Sequence, residues 1–296
     1  MRKIFEGIVI LFIAIGTIRA QSKTIVMAGS GNRKIIKATR RGKILWTYEL
    51  EKGHECNCVS ELDNGNILYS YKKGAAEITK DYQVVWNYKA PIGTEVQSIS
   101  LTNEENYLVG QCGSPMKVLE INKKGKVIFE MSFDTKLRNP HAQLRRVRKT
   151  EKGTYIVPVR KKRTVYEFNK EGAIINEVYV GGVPFATVVL KNNNWLVSCG
   201  DGHRLIEINP LTKQIVWEVK ENDIEGISLR SVTEAIRLKN GNTIICNWGG
   251  HAKSLEHQVQ VVEIDKHKKV VWKLHDKKKF GQISSLDPSW DKDKIR

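Results

Sequence analysis

One short pattern recurs along the 296-residue chain, and it restricts the fold more than any other feature. It consists of an apolar residue, Glu, another apolar residue, a few polar turn residues, then two apolar residues and an aromatic. Copies run from Glu77-Ile78 to Trp86, Glu120-Ile121 to Phe129, Glu207-Ile208 to Trp217 and Glu263-Ile264 to Trp272. A weaker copy runs from Glu167-Phe168 to Asn176, and a first copy with Lys37 in the Glu place ends at Trp46. The Glu-to-aromatic spacing is nine residues, except for ten in the copy ending at Trp217. Gly42, Gly125 and Gly172 mark the turn in three copies. Two short strands joined by a tight polar turn satisfy this pattern.

From the second copy on, another hairpin precedes each of these. Asn64-Gly65-Asn66 leads into Ile67-Leu68-Tyr69, and Asn240-Gly241-Asn242 into Thr243-Ile244-Ile245. Lys152-Gly153-Thr154 and Asn192-Asn193-Asn194 precede similar apolar runs. Each unit is therefore predicted to hold four antiparallel strands, A to D, and units of this kind in series read as a β-propeller. No stretch carries a convincing helical period, so helices should be few. The N-terminal unit lacks an A strand, with B near Thr24–Ala28, C near Lys34–Ala38 and D near Lys43–Glu49. One strand is left over at Gln282–Leu286. Joining the two gives an all-β, six-bladed propeller whose ring is closed by a C-terminal A strand, which removes the open sheet edges. The expected organisation is a signal peptide over 1–20, a propeller over 21–288 and a charged tail over 289–296.

The signal-peptide expectation rests on Arg2 and Lys3, the apolar run Ile8–Ile15 and Ala20 before Gln21. That run is too short to span a hydrocarbon core of about 30 Å. No later segment is long and uncharged enough to do so. A secreted or periplasmic protein is expected, with no membrane span after removal of the signal. The formal net charge is +17, which favours acidic partners. Export argues against nucleic acid and leaves an anionic glycan or an envelope protein, although basic residues spread over solvated strands give the same total. The five cysteines, Cys56, Cys58, Cys112, Cys199 and Cys246, are an odd number without zinc-site spacing. Cys56 and Cys58, two apart in a strand, should point to one face and so not bond each other. Cys112, Cys199 and Cys246 end B strands and read as buried packing residues. Neither a metal nor a cofactor is expected.

The blade scheme sorts the loops onto two faces. A–B and C–D turns open on one, B–C loops and D–A connections on the other. Extra length collects on the second face. Trp46 to Asn66 and Trp86 to Asn106 each take 20 residues, whereas Phe129 to Thr154 and Trp217 to Asn242 take 25. Cys112 to Glu120 and Cys199 to Glu207 take eight, and Cys246 to Glu263 takes 17. Loops on a rigid scaffold are where function tends to sit. His54, His141 and Arg230 fall there as candidate catalytic groups, and Glu95 is placed near the same channel mouth. Asn57, Gln97, Arg145, Arg146, His203, His251 and His257 are candidate ligand-binding residues. His and Arg at a funnel mouth can hold sulfate, phosphate or carboxylate through charge-assisted hydrogen bonds, and a His can act as a general base. A channel-facing His bonded to a second His or to a carboxylate would favour catalysis; a funnel plugged by apolar groups such as Phe185 would favour a scaffold. Arg146 and Arg148 share a strand face and can instead pair with acidic groups on another blade. Arg160-Lys161-Lys162-Arg163, a B–C loop, is either an acidic-polymer contact or a solvated turn.

The repeated Glu-Ile-Asn/Asp-x-x-Gly-x-Val-x-Trp pattern resembles blades of the quinoprotein-like (PQQ-like) propeller superfamily. This chain has fewer blades than the dehydrogenases of that group, and Cys56-Asn57-Cys58 replaces their vicinal cysteine pair. The segment His54–Tyr69 is similar to blades of bacterial arylsulfotransferases. That resemblance implies an exported six-bladed propeller with His54, His141 and Arg230 at its channel. The sequence thus favours a non-catalytic binder of an acidic or sulfated glycan or of a protein, with sulfuryl transfer or acidic-polysaccharide cleavage as the alternative.

Overall fold

A computed structural model describes residues 23–29, 32–250 and 258–290. The proposed signal segment, His251, His257 and the tail from 291 on lie outside them. The described strands form six antiparallel sheets of four. Blade 1 combines Thr24–Gly29, Asn32–Thr39 and Ile44–Glu49 with the closing strand Ser285–Pro288, which pairs with Thr24–Gly29. Blades 2 to 6 follow in chain order, their innermost A strands being Cys56–Glu61, Glu95–Leu101, Arg148–Lys149, Ala186–Val189 and Val232–Arg237. The chain is an all-β, six-bladed propeller with a single four-residue α-helix, Lys277–Phe280, among the described residues.

The closing strand begins three residues after the predicted Gln282 and ends two after Leu286. The helix and its cap take up the intervening chain, with Asp276 accepting from Lys279 N and Gly281 N–H donating to Lys277 O. The register is then fixed against the neighbouring inner strand of blade 2, where Ser285 Oγ accepts Val59 N–H at 2.9 Å and Asp287 Oδ2 accepts Glu61 N–H at 2.8 Å. Those side chains satisfy backbone groups on an inner edge that would otherwise be unpaired.

Strand alternation sends successive side chains to opposite neighbouring blades, so the core is six slabs between blades. Ile156, Val165 and Val178 of blade 4 meet Trp195, Val197 and Ile206 of blade 5, and the other five interfaces repeat the plan. The repeat motif acts at these interfaces. Glu77 accepts from Asn66 Nδ2 of its own blade at 2.7 Å and from Tyr107 OH of the next at 2.6 Å. Burial raises the Glu77 carboxyl, but those hydrogen bonds outweigh it and hold the group below its usual range. Glu120 takes Asn106 and Tyr155, and Glu263 takes Asn242 and Arg40. Glu207 pairs with Arg237 of blade 6 at 3.1 Å. In blade 1 the polarity is reversed, with Lys37 Nζ 2.5 Å from Glu61 Oε1 of blade 2. The aromatic position makes the same step outward. Trp46 and Trp272 donate indole N–H to Lys80 O and Arg40 O of the following blades, and Trp86 stacks on Tyr107 at 3.7 Å.

The spacing argument for Cys56 and Cys58 fails. A β-bulge between them places Asn57 opposite no partner residue. Cys56 therefore packs with blade 1 and Cys58 with blade 3. All five cysteines are buried free thiols. Burial pushes the thiols of Cys112, Cys199 and Cys246 up to about 12.

Candidate functional site

In blades 2, 3, 4 and 6 the funnel end of the A strand is where the ladder is irregular. Bulges set Asn57 and Gln97 out of register, with Thr233 in the same place in blade 6. In blade 4, Leu144 lies opposite Val159 and Arg148 opposite Ile156, so four steps face three, and Arg145, the residue after Leu144, takes the corresponding place. A bulge re-aims a side chain: Gln97 Nε2 reaches Glu95, and Arg145 Nη2 reaches the His141 carbonyl.

Arg146 closes the channel. It is buried, and Nη1 lies 3.0 Å from Ser285 Oγ, 3.2 Å from Cys58 Sγ and 3.4 Å from Glu234 Oε1, while Nη2 donates to Ser284 O at 2.8 Å. Arg148 lies 3.8 Å from the same Glu234. The pairing of Arg146 and Arg148 with an acidic group of another blade is what the structure contains. Arg146, predicted as a ligand contact, is a strut across the ring, because three other blades already engage its Nη1 and Nη2.

Above this strut a polar arc runs from blade 2 to blade 6. Lys72 Nζ lies 3.2 Å from Glu95 Oε1, and Glu95 Oε2 meets Gln97 Nε2 at 2.9 Å and His141 Nδ1 at 3.1 Å. Burial raises Glu95, but His141, Lys72 and Gln97 outweigh it and hold the carboxyl low, so it is ionised. His141 is placed by a short 3₁₀ turn, Pro140–Ala142, capped by Asn139. Burial and the Arg145 charge lower its pKa, against the pull of Glu95. The His141 carbonyl accepts from Arg145 Nη2 at 2.9 Å and from Arg160 Nη1 at 3.1 Å. The two guanidinium groups lie 5.4 and 4.8 Å from the centre of the Phe185 ring. Burial and the Arg160 charge push Arg145 down to about 9. Arg160 is 3.8 Å from Asp201 Oδ2, and Asp201 Oδ1 accepts from Ser231 Oγ at 3.0 Å. The arc ends where Arg230 Nη1 lies 3.3 Å from His203 Nε2, with the Arg230 N–H held by Asn247 Oδ1 at 2.7 Å. Lys72, Arg145, Arg160 and Arg230 outnumber Glu95 and Asp201, so the arc favours a guest of negative charge.

Phe185 is half-buried between two arginines and packs over Gly200, where a Cβ would come within 2.3 Å of the ring. Gln97, His141, Arg145, His203 and Arg230 belong to the arc. Asn57 donates to Val96 O at 3.1 Å, and His54 stacks on Tyr71 at 4.3 Å with exposed Glu51 at 4.0 Å. No contact joins those two to the arc among the described residues. Sequence reasoning did not select Lys72, Arg160 or Asp201 as site residues. Their B–C loop positions were the available signal, and Arg160 was hidden in a basic run whose other members, Lys161, Lys162 and Arg163, are exposed.

Fold and site together define a six-bladed propeller with a basic, His-containing funnel closed at its base by an Arg–Glu strut. The chain belongs to the Mal s 1 allergenic protein-like family, whose model matches residues 34–269. It is similar to a protein of unknown function from Bacteroides caccae, at 42% identity and TM-score 0.86, covering 90% of this chain and 99% of that one. A catalytically inactive virginiamycin B lyase from Staphylococcus aureus, with quinupristin, is 14% identical at TM-score 0.58, covering 86% of each chain. A streptogramin B lyase is 13% identical at TM-score 0.60, covering 88% of this chain and 85% of that one. These two likenesses concern the fold. No curated protein matches the chain.

Proposed function

We propose that this is an exported propeller whose funnel arc binds an acidic or sulfated glycan without turning it over. The reading rests above all on Arg145 and Arg160, two guanidinium groups against one phenyl ring, their nearest carboxylate 3.8 Å away. Two like charges held this close cost energy that a bound sulfate or carboxylate offsets, and the planar donor fork of Arg matches both groups. Export remains the expectation drawn from residues 1–20, and an envelope protein with an acidic surface patch fits the same chemistry.

A second reading is favoured by the His141–Glu95 contact, a half-exposed imidazole oriented by an ionised carboxylate. Such a pair can act as a general base. With the likeness of His54–Tyr69 to arylsulfotransferase blades, it supports sulfuryl transfer or cleavage of an acidic polysaccharide at the same funnel.

A thermal-shift screen against sulfated and uronic-acid oligosaccharides and aryl sulfates separates these readings. A ligand at a hundred times its Kd adds about 2.7 kcal/mol, or a few degrees. A shift that is lost in Arg160→Ala, without product formation, supports binding. Turnover that His141→Ala abolishes supports the enzyme. No shift with any anion overturns both.

A further inference from the structure

We infer that the opposite mouth of the channel is a second, separate binding site, for a small carboxylic acid with an apolar tail. The cavity has a volume of about 370 Å³ and lies where the A strands run out into the A–B turns. Its wall is apolar, including Leu62, Leu101, Val188 and Ile236. The Arg146 strut separates it from the funnel arc, since Arg146 reaches Ser285, Cys58 and Glu234 across the channel.

The polar end of this cavity has a defined chemistry. Arg148 lines it and is about one-fifth exposed. Its Nη1 donates to Val147 O at 2.9 Å, and its Nη2 has Glu234 Oε1 only at 3.8 Å. Glu234 is committed elsewhere. Its Oε2 accepts Leu286 N–H at 2.8 Å and Ser285 Oγ at 3.3 Å, and its Oε1 is nearer to Arg146. Arg148 is thus a guanidinium with an unfilled outer edge at the end of an apolar chamber. A carboxylate supplies two acceptors for the planar donor edge of Arg148. The lining carries the carboxylates Glu234 and Asp287, Asp287 Oδ2 accepting Glu61 N–H, against the cations Arg148, Lys191, Arg237 and Lys239, a balance that favours an acid over the corresponding alcohol. The volume sits at the small end of the usual range of about 300–1,000 Å³ for small-molecule pockets. It therefore suits one medium-length alkanoate and excludes a polymer, so this site is independent of the glycan reading of the funnel.

The test is titration calorimetry of the intact protein with alkanoates from hexanoate to dodecanoate and with decanol. Affinity should rise about fourfold for each added CH₂ until the cavity is full. Decanoate should bind at least tenfold more tightly than decanol. Arg148→Met should remove that preference while decanol affinity holds, Val188→Trp should abolish both, and Arg230→Ala in the funnel should change neither. Should Arg148→Met fail to fold, the decanoate–decanol comparison on the unaltered protein still decides. Equal affinities for acid and alcohol, no binding of decanoate, or loss of decanoate binding in Arg230→Ala would each overturn the proposal.

Discussion

The reversed ion pair between blades 1 and 2 offers a direct test of what the repeat does. In blades 3, 5 and 6 an acidic C-strand residue faces a cation of the next blade: Glu120 with Lys149 at 2.9 Å, Glu207 with Arg237, and Glu263 with Arg40 at 2.6 Å. At the first interface Lys37 carries the charge and Glu61 answers it, with side chains 28% and 15% exposed. Exposed pairs contribute about 0.2–1 kcal/mol, and removing one partner of a buried pair costs about 3–5 kcal/mol. This pair lies between those limits. Lys37→Glu replaces an attraction by a repulsion, and a cost of about 2–3 kcal/mol follows from the same principles. Glu61→Lys should cost less, about 1–2 kcal/mol. Its backbone N–H already faces the Asp287 carboxylate, whose field favours a cation there. Exchanging both residues restores the polarity of the other blades. At about 2–4 °C per kcal/mol for a domain near this size, each single variant should lower Tm by several degrees, and the double variant should recover most of the loss. Calorimetric melts of the four proteins give the coupling energy. Additive losses, with the double variant the least stable of the four, would show that the charge position does not couple the blades.

Further outcomes follow from the funnel and the core. The folded state lowers the His141 pKa, so it binds a proton less readily than the unfolded chain; the ligand-free fold should lose stability as pH falls below about 6.5. Protonation also adds charge to the arc, so anion affinity should rise over the same acidic range and the slope should vanish in His141→Gln, as read by titrations at stepped pH. Gly200→Ala drives a methyl group into the Phe185 ring at a residue of positive φ. It should cost about 1–3 kcal/mol in denaturant melts, as overpacking does, and weaken anion binding by displacing Phe185 from the two arginines. Cys112, Cys199 and Cys246, with thiols pushed up to about 12, should be inert to a thiol reagent at pH 8 until the protein unfolds. Rapid labelling of the native protein would contradict their burial.

The blades were legible because each repeats one local solution, a hairpin whose Glu and aromatic join the next blade. Lys37 looked like a lapse in the pattern only because its partner Glu61 lies 24 residues away. The site was less legible because it is assembled from loops of five blades. Gln97, His141, Arg145, His203 and Arg230 could be placed by topology alone, since D–A and B–C segments open on one face. Arg145 and its neighbour Arg146 could not be told apart in role. A one-residue bulge decides that Arg146 crosses the channel while Arg145 stays on the arc, and no sequence period records it. The same irregularity defeated the spacing argument for Cys56 and Cys58.

The funnel reading is tested most directly by titrating a sulfated hexasaccharide into the intact protein and its Arg160→Ala, Arg230→Ala and Lys161→Ala variants, at two salt concentrations. Losing one charge-assisted contact costs about 1.5–3 kcal/mol, or roughly tenfold to a hundredfold in affinity. The expected result is a loss of that size for Arg160→Ala and Arg230→Ala, little change for exposed Lys161→Ala, and weaker binding at higher salt. Equal small losses in all three variants would mean that the sugar is held by diffuse surface charge, and that the arc is not a binding site.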